Sequence, residues 1–179
     1  MTVGKSRVFL VGMMGVGKST AGRLLAETLG WDYVDTDDEV PRRAGKSFQE
    51  VWEQDGEAEF RRLEAEAVAD VSSRPSPAVV ALGGGAVLDE NSRRIIKDSG
   101  LVVWLRADPG TLFGRLGPQA GKGRPLLRRS PEDALRRLSE ARAPIYESTS
   151  DLVFDVDRMN PRDVADAIAK ALKGQPCAS

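Results

Sequence analysis

Short apolar runs alternate along this chain with longer stretches in which apolar positions recur every three or four residues. Val8-Phe9-Leu10-Val11 is the first run, and it predicts a strand buried on both faces, as in a parallel sheet. Helical spacing follows from about Lys18 to Leu29, where Leu24, Leu25 and Leu29 form a core stripe and Gly30 supplies the stop. Tyr33-Val34-Asp35 predicts a second short strand. Ser47-Phe48-Gln49-Glu50 is a capping box and marks a helix start. A further helix from about Glu57 to Ser72 places Phe60, Leu63, Ala67 and Val71 on one face. Ser73-Arg74-Pro75-Ser76-Pro77 is a loop, and Ala78 to Leu82 is a third buried strand ended by Gly83-Gly84-Gly85.

The same alternation continues. A helix from about Asp89 to Asp98 leads into a strand over Leu101 to Leu105. Asp108-Pro109 then reads as an N-cap with proline at the first helical position. The stretch 117–130 is rich in Gly, Pro and Arg and carries no apolar period, so it predicts a mobile loop. Pro131 opens another helix, and Leu152 to Asp155 is a fifth strand. Asn160-Pro161 starts a last helix, in which Val164, Ile168 and Leu172 recur every four residues. Strands alternating with helices imply βαβ units, hence a three-layer α/β sandwich of about five parallel strands.

Composition narrows the chemistry. The 179 residues contain no histidine and one cysteine, Cys177. Histidine bases, histidine metal sites, Ser-His-Asp and Cys-His nucleophiles and internal disulfides are all excluded, and proton transfer falls to carboxylate, Lys, Tyr or water. One cysteine suits a reducing compartment. The apolar run near the N-terminus is too short for a signal-peptide core or a membrane span, so a cytoplasmic location is expected. A net charge of −1 gives no global attraction to nucleic acid or membrane. The length fits one domain over 1–179 with no structural metal, and nothing demands more than a monomer.

Candidate chemistry begins at Gly12-Met13-Met14-Gly15-Val16-Gly17-Lys18-Ser19, which fits G-x-x-x-x-G-K-[ST] between a predicted strand and a predicted helix. Glycines let the backbone curl so that N–H groups face phosphate oxygens, and the helix start adds partial positive charge. Lys18 is placed to reach the β- and γ-phosphates and Ser19 to bind Mg²⁺. Asp35 and Asp37 follow the second strand at period two and share a side. One carboxylate can hold a water on the metal while the other accepts a hydroxyl proton. Alternatively, Asp37 or Asp38 caps the next helix, in which Pro41 is tolerable only in the first turn. The third strand ends in glycine where many P-loop proteins place an aspartate, leaving Asp35 as the available carboxylate. The three glycines are either a simple turn or a close approach for ligand. Arg61 is either a helix-surface ion pair with Glu57 and Glu64 or an anion clamp; spacing does not decide, and the same holds for Arg142. Phe48 and Trp52, four residues apart, either shape the pocket or belong only to the core, and core is favoured. Lys122, Arg124, Arg128 and Arg129 make the 117–130 loop basic, which suits a lid over a transferring phosphoryl or a plain solvated loop; the near-neutral charge and lack of interleaved aromatics weigh against a nucleic-acid patch.

As an ordered set, these residues resemble the shikimate kinase family. The matching pieces run from the Gly12 to Thr20 loop through Asp35-Thr36-Asp37 and Asp55 to Arg62. They continue with Leu82 to Ala86, Arg124-Pro125-Leu126-Leu127, Arg142-Ala143-Pro144-Ile145-Tyr146 and Asn160-Pro161. The resemblance implies a P-loop fold like that of the nucleoside monophosphate kinases, and ATP-dependent phosphorylation of the shikimate 3-hydroxyl. It also implies a set of roles. Asp37 would be the base, with Lys18 and Arg124 assisting. Gly15, Val16, Gly17, Lys18, Ser19, Thr20, Arg115 and Arg124 would hold ATP. Asp37, Arg61, Gly84, Gly85 and Arg142 would hold shikimate. One Mg²⁺ would sit on Ser19 directly and on Asp35 through water. The segment 38–66 would be the acceptor-binding part and 117–130 the lid. Gluconate kinases and nucleoside monophosphate kinases share the loop and lid but not this set of acceptor residues. A GTPase-like switch would carry an Asn-Lys-x-Asp element, which is lacking here.

Overall fold

The computed structural model describes residues 6–75 and 77–174. Cys177, Ser76 and the first five residues therefore lie outside the described residues. The sheet contains β1 (Arg7–Val11), β2 (Asp32–Asp35), β3 (Ala78–Ala81), β4 (Leu101–Arg106) and β5 (Leu152–Asp155), all parallel in the order β2-β3-β1-β4-β5. β1 and β3 are buried along their whole length, as their unbroken apolar runs require. Helices α1 (Lys18–Leu29), α2 (Thr36–Ala44), α3 (Phe48–Glu50), α4 (Gly56–Ser73), α5 (Glu90–Ser99), α6 (Pro109–Leu116), α7 (Pro131–Thr149) and α8 (Pro161–Gly174) connect the strands and flank the sheet.

Capping chemistry sets several boundaries. Gly30 closes α1 in the left-handed region, and the Ser47–Glu50 capping box is complete. Asn160 accepts from the Asp163 N–H at 2.9 Å, as expected for an N-cap. Two details of α2 differ from expectation. Its cap is Asp35, which accepts from the Asp37 N–H, rather than Asp37 or Asp38. Pro41 sits inside the helix rather than in its first turn. That position costs the Asp37 carbonyl an intrahelical partner, and the helix stops soon afterwards at Gly45. Ser73 belongs to α4 rather than to the loop after it.

α3 passes into a wider π turn, Val51–Asp55, before α4 begins. Such turns concentrate at functional positions. The predicted loop 117–130 is fastened more firmly than its composition suggests. It contains a short 3₁₀ turn, Pro125–Leu127, and buries Ala120 and Leu127 completely.

The main core lies between the sheet and its helices, with Phe9, Leu10, Leu25, Ile96, Leu105, Leu112 and Ile168 fully buried. A smaller cluster of Val40, Val51, Phe60, Leu63 and Ala67 sits apart, under α2, α3 and α4. The chain crosses between the two sides of β1 after β3. This places the switch point of the sheet, and its ligand crevice, at the carboxyl ends of β1 and β3. Among the described residues no helix is long and apolar enough to cross a membrane.

Candidate active site

The loop 12–17 leaves β1 and turns on left-handed or otherwise glycine-like backbone. Gly12, Gly15 and Gly17 have φ of 144°, 81° and 98°. At Gly12 a Cβ would also come within 2.5 Å of the Leu105 carbonyl oxygen. Gly17 precedes α1, and no side chain caps that helix start, so its first N–H groups are open to an anion. Lys18 is buried and folds back over the loop, donating to the carbonyls of Gly12 (2.8 Å) and Met13 (3.0 Å). Burial lowers its pKa to about 8, with Asp37 and Asp35 opposing that shift.

Beside the loop, Ser19 Oγ donates to Asp35 Oδ2 at 2.6 Å. Hydroxyl and carboxylate oxygens of this kind suit a hard divalent cation, which usually keeps waters and leans on substrate phosphates. Among the described residues there is no cluster of three or more acidic, His or Cys groups that would cage a metal unaided. A cation here would therefore depend on the nucleotide for much of its coordination.

Asp37 stands two residues after Asp35, at the start of α2. It remains open to solvent but lies in a concave floor. Crowding by protein raises its carboxyl pKa, Lys18 opposes the shift, and Asp35 and Asp38 add to it. The intervening Thr36 is buried, and its hydroxyl accepts from the Gly83 N–H at 2.9 Å. That bond ties α2 to the glycine turn after β3.

The three glycines form a turn, with the Ala86 N–H donating to the Gly83 carbonyl at 3.0 Å, and side chains crowd closely against it. A Cβ at Gly83 would lie 2.7 Å from Asp37 Oδ1 and 2.6 Å from Glu64 Oε1. One at Gly85 would lie 2.6 Å from Arg61 Cζ, and one at Gly84 would lie 3.3 Å from Arg142 Nη1. Gly84 is also pinned by Tyr146, whose hydroxyl donates to its carbonyl at 2.6 Å. Arg142 and Tyr146 are one turn apart on α7, so both face the glycine turn.

These side chains line a cavity of about 330 Å³. Met14, Asp37, Arg61, Glu64, Gly84, Gly85 and Arg142 form its floor and walls, and Phe48, Trp52 and Phe60 form an aromatic side. Lys122, Arg124 and Leu126 cover it from the loop. Arg142 is 3% exposed, and its Nη1 is buried with no hydrogen-bond partner among the described residues. A buried guanidinium N–H left open in this way is a site for an incoming anion. Arg61 is held by Glu64 at 2.7 Å and lies over the rings of Trp52 and Phe60.

The structure thus gathers Asp37, Arg61, Gly84, Gly85, Arg124 and Arg142 at one cavity, and Gly15 to Thr20 with Asp35 beside it. Arg124 donates to the carbonyls of Ala120 (3.2 Å) and Lys122 (3.5 Å) within the loop. Arg115 lies beside the 12–17 loop, donating to the carbonyls of Val16 (3.0 Å) and Val156 (2.7 Å). Residues missed from sequence are Glu64, Thr36 and Phe60, while Phe48 and Trp52, favoured as core, do line the cavity. Glu64 is 4% exposed with a raised pKa from burial, and its i, i+3 spacing from Arg61 was the available signal. Phe48 and Trp52 pack on the smaller core cluster and also line the cavity.

A family model described as shikimate kinase matches residues 14–173. A shikimate kinase of Symbiobacterium thermophilum is 41% identical over 167 residues, covering 93% of this chain and 95% of that protein. One from Thermobifida fusca is 42% identical over 163 residues, covering 91% and 92%. Among solved structures, shikimate kinase from Acinetobacter baumannii in complex with shikimate superposes with a TM-score of 0.89 at 34% identity, over 96% of this chain and 94% of that one.

Proposed function

The chain belongs to the shikimate kinase family of ATP-dependent phosphotransferases, and from that we propose that it transfers the γ-phosphoryl of ATP to the 3-hydroxyl of shikimate. The observation that carries the acceptor assignment is the open guanidinium of Arg142, converging with Arg61 and Asp37 on one cavity. Two arginines suit a carboxylate, and the carboxyl of Asp37 suits a hydroxyl proton. An acceptor that bears both groups fits this arrangement.

In this reading the loop N–H groups and the start of α1 hold the phosphates, and Lys18 leaves the carbonyls of Gly12 and Met13 for the β- and γ-oxygens. Ser19, with Asp35 behind it, would hold a magnesium ion, which would offset phosphate charge. Asp37 accepts the proton of the acceptor hydroxyl as its oxygen bonds to the γ-phosphorus. The bond to the β-phosphate oxygen breaks, and ADP leaves. The raised pKa of Asp37 brings it nearer to what a general base at neutral pH needs. Arg124 comes over the transferring phosphoryl from the lid, and Arg115 lies against the base of the nucleotide. Gly84 and Gly85 admit the acceptor ring, because a side chain at either would crowd the two arginines.

The molecule in this proposal is a cytoplasmic monomer of one kinase domain, with 38–66 as its acceptor-binding part and 117–130 as its lid. Its partners are small molecules, with no nucleic acid or membrane. The test is ADP release with ATP and Mg²⁺ in separate reactions with shikimate, gluconate and AMP, with the product identified by phosphorus NMR. Turnover confined to shikimate, giving the 3-phosphate, is the expected result. Turnover with gluconate or AMP instead overturns the roles of Arg61 and Arg142.

A further inference from the structure

Asp35 receives one donor that the reading above does not use. The Tyr33 hydroxyl donates to Asp35 Oδ2 at 3.0 Å, on the same oxygen that accepts from Ser19 at 2.6 Å. The Asp37 N–H occupies Oδ1 at 3.0 Å. A carboxylate offers about four acceptor positions. Three are therefore filled by protein donors, and the remaining one lies on Oδ1.

Tyr33 itself has two contacts with α1. Its ring lies against α1 at Gly22, where a Cβ would approach Tyr33 Cε2 to 2.8 Å. A glycine inside a helix costs about 0.5–1 kcal/mol relative to alanine, and here it makes room for this ring. The Arg23 guanidinium also lies 5.2 Å from the ring centroid. The hydroxyl is thus aimed by a seat built from the helix that begins at the phosphate-binding loop.

We propose that Tyr33 is a positioning residue for the cation site. Its hydroxyl saturates Oδ2 of Asp35 and fixes the carboxylate so that Oδ1 faces the donor that arrives with the nucleotide. The proposal rests on the assignment of Ser19 and Asp35 to the cation, and it concerns a side chain that touches neither substrate nor metal. Removing the hydroxyl leaves Oδ2 half-filled and frees the carboxyl to rotate or to take up solvent.

Tyr33→Phe tests this, because it keeps the ring, the Gly22 contact and the Arg23 contact. The probe is Mn²⁺ titrated into the enzyme with ADP, read by the paramagnetic resonance of the free ion, so no turnover is needed. Binding weakened by about tenfold is expected, at the low end for partners beyond the first ligands. Shikimate affinity by calorimetry and the melting temperature should stay at wild-type values. In steady state the Mg²⁺ requirement should rise by a similar factor, while KM for shikimate stays within twofold. Asp35→Asn is run in parallel. If it weakens Mn²⁺ binding and Tyr33→Phe does not, the role of Tyr33 falls and the cation site stands. If neither variant weakens binding, the cation assignment falls and Tyr33 falls with it. A Tyr33→Phe protein that melts several degrees lower and loses shikimate affinity equally marks a structural residue, which also overturns the proposal.

Discussion

The two halves of the cleft are built differently. The nucleotide half is one stretch of chain, from Gly12 to Thr20, and it offers mainly backbone N–H groups on a helix that packs on the main core through Ala21, Leu25 and Ala26. The proposed acceptor half takes side chains from scattered places. Asp37 comes from the start of α2, Trp52 from the π turn, Arg61 and Glu64 from α4, Gly84 and Gly85 from the β3 turn, and Arg142 from α7. Its aromatic wall rests on the smaller cluster around Val40, Val51 and Phe60. Fewer buried apolar contacts mean a lower cost of local opening. The acceptor half is therefore the part expected to adjust, while the phosphate loop holds its shape. Arg128 of the 117–130 loop forms an ion pair with Glu53 of the π turn, so that loop touches this half.

The sharpest separation of the halves comes from Asp37→Asn. It removes the base and keeps the shape, so kcat should fall by about 10²–10⁴-fold. Binding of ATP, measured by calorimetry, should change little. A variant that keeps a tenth of wild-type turnover would break the assignment of the base to this carboxyl.

Gly85→Ala comes next. The added Cβ meets the Arg61 guanidinium, which cannot simply swing away because Glu64 and the Trp52 and Phe60 rings hold it. A displacement of about 1 Å at a binding group costs on the order of 10²-fold. We expect that loss in kcat/KM for the acceptor, with kcat/KM for ATP nearly unchanged. Equal losses in both would mean that the halves are mechanically coupled through the glycine turn.

The same contrast explains what could be read in advance. The phosphate loop was legible because its chemistry is local: a strand, glycines at fixed offsets, Lys18, Ser19 and a helix start are consecutive in the chain. Strand and helix order was legible for the same reason, since apolar runs and caps such as Asp108 and Asn160 act over a few residues. Whether Arg61 is a surface ion pair or an anion clamp was not. It depends on Gly85 and Trp52, which meet it only after folding. Arg61 pairs with Glu64 at 2.7 Å and also lines the cavity. Thr36 escaped notice because its role, accepting from Gly83, spans 47 positions. Only the resemblance of the whole ordered set pointed to the acceptor side.

Trp52→Leu is a smaller perturbation of that side. Trp52 lies under Arg61, with the guanidinium carbon 5.6 Å from the ring. Losing a half-buried cation–π contact, taken at about 0.5–1 kcal/mol, predicts roughly a twofold to fivefold rise in KM for the acceptor. Turnover at saturation should hold. If KM for ATP rises instead, the aromatic wall serves the lid more than the acceptor.

The mildest test needs no mutation. Lys18 titrates at about 8 in the free protein because burial disfavours its charged form. The phosphates need the cation, so kcat/KM for ATP should decline as pH rises through that value, to about half its plateau near pH 8. Bound phosphates favour the ammonium, so the same limb in kcat should move to higher pH. Asp37 works in the opposite direction. Its carboxyl pKa is raised, and the deprotonated form is the active one, so activity should fall as pH drops through a value above the ordinary carboxylate range. The alkaline limb belongs to the nucleotide half and the acid limb to the acceptor half. Asp37→Asn should therefore erase the acid limb of the residual activity and leave the alkaline one in place. An alkaline limb that stays at the same pH in kcat and in kcat/KM would mean that Lys18 does not leave the carbonyls of Gly12 and Met13 for the phosphates, and that its buried charge serves only the loop.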